Sequence, residues 1–194
     1  EMCIRDRHST IFTIVLTTIV IPYLGMKVNL LAAVTADGFI GRSDSDLSTK
    51  WTSREDTKFF VKFSKEVRHL ILGSKTFATF DRELKERTFY VYSRSSEVPN
   101  PFNNEMEVVS QDPQSLLARL EANGIDEVMV AGGSNIYTLF LNAGVVTDIY
   151  LVFEPVLFGK GISLFSDVVS AQLELVEVID LSEQTKVFHY QVLK

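Results

Sequence analysis

The 194-residue sequence has little of what builds disulfide-bonded, metal-centred or nucleic-acid-binding proteins. Its one cysteine, Cys3, excludes internal disulfides, a Cys-x-x-Cys redox pair and a cysteine-based zinc finger. The three histidines are scattered along the chain, so no metal centre is expected. The net charge of -6 argues against general nucleic-acid binding, which needs a basic surface. We therefore expect any chemistry to use carboxylates, backbone amides and a bound cofactor.

The first 25 residues differ from the rest of the chain. Residues 11–24 form an uncharged apolar run without a signal-peptide cleavage pattern, and the run is short for a membrane span, which needs roughly 20 residues. Met26 then begins a clean strand pattern. We expect residues 1–25 to be a non-native or dispensable extension and 26–194 to form one cytoplasmic domain without membrane contact. A membrane anchor at residues 1–25 is the alternative.

Short apolar runs alternate with amphipathic stretches after Met26. Residues 27–35 are nearly continuously apolar, as in a strand that is covered on both faces. The last two runs, 173–179 and 186–193, alternate like an antiparallel hairpin. Further strands are predicted at 69–72, 88–93, 127–131 and 147–153. This order predicts a single-domain α/β protein with a doubly wound, mostly parallel sheet and an antiparallel C-terminal hairpin.

One carboxylate lies on an aromatic helix face. Thr52 or Ser53 is expected to cap a helix on which Asp56, Phe60 and Phe63 share one side. A carboxylate on such a water-poor surface is costly unless it is paired, so Asp56 either serves the fold or receives a donor-rich ligand. The pattern Ser53-x-x-Asp56 also fits a capping box, in which the acid returns a hydrogen bond to the helix start. The local pattern by itself favours capping.

Two predicted strands end at glycines that open helices, Gly73-Ser74-Lys75-Thr76 and Gly132-Gly133-Ser134-Asn135. Such a junction can offer amide donors to a phosphate. A Gly-Gly pair is also a common tight turn, and neither junction matches a Rossmann or Walker fingerprint. A phosphate site and a simple turn both remain open. The small residues Ala32 and Ala33 would let a flat ligand approach the first strand.

In order and spacing, several weak motifs together resemble dihydrofolate reductase over nearly all of 26–194. The motifs are Leu31-Ala32-Ala33 with Asp37-Gly38-Phe39-Ile40-Gly41, Trp51-x4-Asp56-x3-Phe60, Gly73-Ser74-Lys75-Thr76, Leu84-x2-Arg87, Val130-Ala131-Gly132-Gly133 with Tyr137, and Ile149-Tyr150-Leu151. The resemblance implies NADPH-dependent reduction of the small-molecule substrate 7,8-dihydrofolate to tetrahydrofolate by a monomer or homodimer.

The resemblance also implies roles for individual residues. Asp56 would hold the pterin ring through two parallel hydrogen bonds, and Trp51 would close the site. Arg87 would bind the carboxylate of the glutamate tail. The implied substrate-binding set is Ala32, Ala33, Phe60, Leu84, Arg87 and Val152, where Val152 occupies the place of a threonine that usually bonds the pocket acid. The implied NADPH-binding set is Ala33, Ile40, Gly41, Gly73, Ser74, Lys75, Thr76, Ser93, Arg94, Ala131, Gly132, Gly133, Ser134, Asn135 and Tyr137.

Two alternatives share the same fold. The stretch from Glu154 to Gly161 is similar to a proline- and glycine-containing turn of the reductase of riboflavin synthesis, whose substrate bears a ribose phosphate instead of a glutamate tail. Trp51, Asp56 and Arg87 together favour the folate interpretation. The other alternative is a catalytically idle nucleotide-binding protein, because fold alone does not give function.

Overall fold

The computed structural model describes residues 25–43, 46 and 48–193. The prediction for residues 1–25 therefore lies, apart from Gly25, outside the described residues and stays a prediction. The helices are α1 (Arg54–Val67), α2 (Ser74–Phe77), α3 (Pro113–Ala122) and α4 (Ser134–Asn142), with a short 3-10 helix at Ser48–Lys50. The strands are β1 (Lys27–Thr35), β2 (Phe39–Gly41), β3 (His69–Gly73), β4 (Thr88–Tyr92), β5 (Glu105–Val109), β6 (Glu127–Val130), β7 (Asp148–Glu154), β8 (Ile162–Ser163), β9 (Gln172–Asp180) and β10 (Lys186–Leu193).

The main sheet has the strand order β5-β4-β3-β6-β1-β7-β10-β9. All pairs from β5 to β7 are parallel, whereas β10 pairs antiparallel with both β7 and β9. The predicted fold class, a mostly parallel α/β sheet with an antiparallel C-terminal hairpin, is confirmed. Strands β2 and β8 form a separate two-stranded sheet.

The apolar run that predicted β1 has a direct structural explanation. β1 lies between β6 and β7, so neighbouring strands satisfy its backbone on both edges. Leu30 and Leu31 point to opposite faces of the sheet and are both buried, as expected for a strand with helices on both faces. Because a central strand meets no water on either side, its sequence shows no polar alternation.

Hydrophobic clusters on the two faces of the sheet form the core. On one face, Leu116 and Leu120 of α3 pack with Phe140 of α4. On the other face, α1 and α2 contribute Val67 and Phe77. The sheet is thus doubly wound, with helices on both faces. Within the described residues, no helix is both long and apolar enough to cross a membrane.

Three strands were not predicted from the sequence. β5 is an edge strand that pairs only with β4, and exposed Glu105 and Glu107 interrupt its apolar residues. β2 and β8 span three and two residues, which is too short to carry a periodic pattern. The missed elements are therefore those in which pairing, rather than burial, selects the conformation.

Gly161 allows β2 and β8 to approach closely. A Cβ atom on Gly161 would overlap the carbonyl oxygen of Gly41, which is a backbone atom that cannot rotate away. Glycine is therefore required here for space, since its φ angle is not in the left-handed region.

We predict that Gly161→Ala lowers the free energy of unfolding by about 2 kcal/mol, because the methyl group forces the two strands apart. Gly124→Ala is the matched control, since Gly124 has a φ of +81° but a Cβ atom there would meet nothing within 4 Å. Its cost should be about 1 kcal/mol, from backbone strain alone. Urea denaturation of both variants measures the difference, and equal losses would contradict the steric explanation.

Candidate functional site

A cavity of about 1140 Å³ lies along the carboxyl ends of the parallel strands. Its wall includes residues 31–33 within β1 and residues that end or directly follow β3, β4, β5 and β6. The next helix after β1 is α1, which packs on one face of the sheet, whereas α4, which follows β6, packs on the other. Neighbouring strands whose helices depart to opposite faces leave a crevice between them, which is the usual ligand site of open α/β sheets.

Asp56 lies in the first turn of α1 and on the cavity wall. Burial raises the pKa of its carboxyl group to about 6, while the Thr52 hydroxyl lowers it and the charge of Glu154 raises it further. A carboxyl group with this pKa exchanges its proton near neutral pH. Asp56 is therefore suited to proton transfer or to orienting a ligand through hydrogen bonds.

The helix cap explains why Asp56 can face the cavity. Ser53 is the N-cap, and its Oγ accepts a hydrogen bond from the Asp56 backbone N at 3.1 Å. In a complete capping box, the Asp56 carboxylate would accept from the Ser53 amide. Here that amide instead donates to Oε1 of Glu154 at 2.9 Å. The capping hypothesis thus holds for the backbone N of Asp56, which donates to the cap. The Asp56 side chain does not complete the box, because Glu154 of β7 accepts the hydrogen bond from the Ser53 amide.

The wall beside Asp56 is apolar and aromatic. Phe60 lies one turn further along α1, and its ring centroid is 6.2 Å from that of Phe80. Leu31, Ala33 and Leu84 line the same cavity. This surface offers a planar heterocycle dispersion contacts on its faces and one carboxyl group for its polar edge.

A backbone hydrogen bond joins the two glycine junctions, from Gly73 N to Gly132 O at 2.8 Å. Gly132 has a φ of +105°, and a Cβ atom there would lie 3.0 Å from Oη of Tyr137. That hydroxyl donates to the carbonyl of Leu31 at 2.6 Å and so ties α4 to β1. The Gly132–Gly133 peptide bond is cis. The junctions are therefore parts of one continuous wall.

All but three of the residues predicted for the site lie on this wall. They are Ala32, Ala33, Ile40, Gly41, Asp56, Phe60, Gly73, Ser74, Lys75, Thr76, Leu84, Ser93, Arg94, Ala131, Gly132, Gly133, Ser134, Asn135 and Tyr137. The structure brings these residues together on one cavity wall, while the role of each residue stays a prediction. The three that the structure places elsewhere are Trp51, Arg87 and Val152.

Arg87 does not line the cavity, and its donors bond to protein groups. Its guanidinium donates to the Val61 carbonyl at 2.8 Å, the Lys85 carbonyl at 2.8 Å and Ser64 Oγ at 2.9 Å. The residue is 6% exposed, and burial lowers its pKa. The expectation that Arg87 binds a substrate carboxylate is therefore corrected, because its donors tie α1 to the segment before β4.

Trp51 and Val152 are corrected for similar reasons. The Trp51 ring is buried against the Phe158 ring in an edge contact, with 5.2 Å between centroids, and it does not line the cavity. Val152 is 1% exposed in β7, where it pairs with Ala33 and Val187. Its apolar side chain belongs to the core and does not line the cavity. It has no polar group that could bond to Asp56.

Several wall residues were missed from the sequence. The 3-10 helix, the first turns of α1 and the residue after β5 contribute hydroxyl groups, the loop after α2 contributes a hydroxyl group and an ion pair, and β8 with the segment after it lines one side. These residues are Ser48, Thr49, Thr57, Thr79, Asp81, Arg82, Ser110, Ile162, Ser163, Phe165 and Ser166. Thr57 had a usable signal, since it follows Asp56 directly. The others depend on loop paths that no periodicity reports.

The donor set of this wall fits a phosphorylated dinucleotide. Ser93 and Arg94 follow β4, the glycine junctions follow β3 and β6, and Ala33 lies in β1, so the contacts predicted for adenosine phosphate, pyrophosphate and nicotinamide would follow one another along the sheet. Gly133 caps the nine-residue α4 without a side-chain hydrogen bond, which leaves its first amides for a ligand. Among the described residues, no cluster of acidic, histidine or cysteine side chains could hold a metal.

Sheet topology and cavity together define an α/β protein of the dihydrofolate-reductase-like fold class. The chain belongs to the RibD C-terminal domain family, whose model matches residues 26–187. The uncharacterised protein YyaP of Bacillus subtilis is 25% identical over 158 residues, which cover 73% of this chain and 81% of YyaP. Dihydrofolate reductase of Buchnera aphidicola is 26% identical over 118 residues, covering 61% of this chain and 66% of that protein.

A solved structure gives the same fold. It is the diaminohydroxyphosphoribosylaminopyrimidine deaminase/5-amino-6-(5-phosphoribosylamino)uracil reductase of Thermotoga maritima, with a TM-score of 0.67 and 21% identity. The match covers 87% of this chain and 57% of that one. The family assignment replaces dihydrofolate reductase as the first expectation, although both share the fold.

We predict that Arg87→Leu lowers the free energy of unfolding by about 2–4 kcal/mol, because it leaves buried carbonyl groups without their donors. Arg82→Leu is the matched control: Arg82 lines the cavity, so its replacement should keep the stability and weaken the binding of an anionic substrate. Thermal unfolding and KM measurements separate the two variants. If Arg87→Leu were stable and only raised KM, the assignment of Arg87 to the fold would be wrong.

We predict that Asp56→Asn is more stable than the wild type at pH 7.5 but not at pH 4. The folded pKa is about 6 and the ordinary value is 3.8, so between these values the folded wild type binds a proton that the unfolded chain has lost. Wild-type stability therefore falls as the pH rises through this window, whereas the asparagine variant does not titrate. The gain at pH 7.5 should be about 2 kcal/mol by urea denaturation. An equal gain at both pH values would contradict the raised pKa.

Proposed function

We propose that this protein is an NADPH-dependent reductase of a phosphoribosylamino-pyrimidine, the reaction type of riboflavin synthesis. The single observation that carries the choice of substrate is the burial of Arg87. A folate tail would need a cation at this place on the wall, and the three hydrogen bonds of Arg87 hold it in the fold instead. Membership of the RibD C-terminal domain family supports the same choice.

The cavity offers features that suit a sugar phosphate. Thr57, Thr79 and Arg82 line the cavity that Asp56 and Phe60 also line. Hydroxyl groups and a guanidinium pair well with ribose hydroxyls and a phosphate. A pyrimidine ring would pack on Phe60, while its sugar phosphate would extend toward Arg82. This binding mode does not require a cation for a carboxylate tail, which dihydrofolate would need.

The residues that would hold NADPH are those of the two glycine junctions together with Lys75, Ser93, Arg94, Ala33, Ile40 and Gly41. When bound, the nicotinamide supplies the hydride. The protein orients the acceptor, excludes water with the apolar wall and holds a proton at the Asp56 carboxyl group. Reduction of a glycosylamine places hydride on the sugar carbon of its open imine form and a proton on the imine nitrogen. Asp56, with a pKa of about 6, can donate that proton near neutral pH.

Dihydrofolate is the second candidate substrate. Asp56 and Phe60 line one cavity, as a pterin ring would require, and the Buchnera relative carries the name dihydrofolate reductase. Val152 and Arg87 argue against it, because neither the hydroxyl that usually bonds the pocket acid nor the tail anchor is present at the expected place.

We predict that the purified chain oxidises NADPH with 5-amino-6-(5-phosphoribosylamino)uracil and much more slowly, or not at all, with 7,8-dihydrofolate. Asp56→Asn should reduce turnover by about 100-fold at neutral pH, because the proton donor is lost, while NADPH affinity stays unchanged. Steady-state absorbance and fluorescence titration with NADPH measure the two quantities.

The comparison of substrates has three contrary outcomes. Turnover on dihydrofolate alone would overturn the pyrimidine proposal in favour of the second candidate. NADPH binding without turnover on either substrate would support the idle nucleotide-binding alternative. Unchanged turnover of Asp56→Asn would leave the reductase but remove Asp56 from its mechanism.

A further inference from the structure

Glu154 is a buried carboxylate that no motif assigned to the site. It ends β7 and is 3% exposed, and its sequence separation from Ser53 is 101 residues. A carboxylate buried to this degree is costly unless donors satisfy it. Packing alone therefore does not explain why a carboxylate lies here.

Three donors converge on the Glu154 carboxylate. Oε1 accepts from the Ser53 backbone N at 2.9 Å and from Ser53 Oγ at 2.7 Å. Oε2 accepts from Thr185 Oγ1 at 3.2 Å. Glu154 thus links the end of β7 and the segment before β10 to the start of α1, where Asp56 lies.

The Ser53 amide is the capping donor that the Asp56 side chain would compete for. Asp56 is three residues after the cap, the position whose side chain normally accepts from the cap amide. With that amide bonded to Glu154, it is not free to draw the Asp56 carboxyl group back to the cap, and the Thr52 hydroxyl is the donor at the helix start that still acts on this group. From these contacts we infer that Glu154 is a positioning residue, which occupies the Ser53 amide and so keeps the Asp56 carboxyl group directed into the cavity. This inference rests on the proposed function for its effect on turnover, but not for its effect on Asp56.

Two described titratable groups couple to Asp56 from other elements. Glu154 acts from β7, where its negative charge disfavours a second charge on Asp56. Tyr137 acts from α4, where its buried hydroxyl donates to Leu31 and burial raises its pKa. Since Tyr137 stays neutral, Glu154 is the group whose replacement should move the titration of Asp56.

Two substitutions separate the hydrogen bond of Glu154 from its charge. Glu154→Gln keeps an oxygen acceptor for Ser53 and removes the charge. Glu154→Met keeps the approximate volume and removes both. Glu55→Gln is the matched control, because it removes a charge from the same helical turn at a partly exposed residue that pairs with Lys58. Carbon-13 NMR of labelled aspartate carboxyl groups reports Asp56 directly, with Asp56→Asn identifying its signal.

We expect the titration midpoint of Asp56 to fall by about 0.5 pH unit in Glu154→Gln, with turnover at neutral pH within about threefold of the wild type. In Glu154→Met, Asp56 should turn to the free Ser53 amide, so its midpoint should fall further and turnover should drop by at least about 10-fold. NADPH affinity should be unchanged in both, since its predicted site lies on other strands. Glu55→Gln should leave the midpoint of Asp56 unchanged.

An Asp56 midpoint that is the same in folded Glu154→Met as in Glu154→Gln would overturn the inference, and Glu154→Ala, which also removes the acceptor for Ser53, replaces Glu154→Met in this comparison if the latter does not fold. Equal turnover in folded Glu154→Met and Glu154→Gln would also overturn it. If the wild type reduces neither substrate, the proposed function fails, yet the NMR midpoints still test Glu154. The two failures are therefore distinguishable.

Discussion

The site depends on the parallel pairing of β1 with β6, because this is where the helices of the sheet change sides. β1 is followed by α1 on one face and β6 by α4 on the other, so a crevice opens above the carboxyl ends of both strands. The bond from Tyr137 Oη to the Leu31 carbonyl closes the floor of that crevice. Without this pairing, the glycine junctions and Asp56 would not share a wall.

Two carboxylates with different environments share the start of α1. Glu154 is satisfied by three donors and stays within the fold, whereas Asp56 is desolvated on the cavity wall with a raised pKa. Their mutual repulsion helps to keep Asp56 able to hold a proton near neutrality. Pairs of acids whose surroundings differ in this way commonly divide a structural role from a chemical one.

Much of the sheet could be predicted because burial on two faces leaves a continuous apolar run, as in β1. Asp56 and Phe60 could be predicted because helical spacing fixes which side chains share a face. The interaction of Ser53 with Glu154 could not, since it joins residues 101 positions apart and has no periodicity. Arg87 was misassigned because a charged residue before a strand gives no sign of whether its donors face a ligand or the backbone of a neighbouring helix.

The burial of Arg87 also links stability to specificity. An arginine that donates to the Val61 and Lys85 carbonyls fixes the end of α1 against the segment before β4, and Val61 and Leu84 then present apolar groups to the cavity. A cation at this place would have selected substrates with a carboxylate tail. Under the proposed function, Arg82 at the cavity wall would select the charge of the substrate instead, since its guanidinium suits a phosphate as well as a carboxylate. On this proposal, the choice between a carboxylate tail and a sugar phosphate depends on whether one arginine faces the cavity or the fold, while the strands that line the predicted cofactor site need not differ.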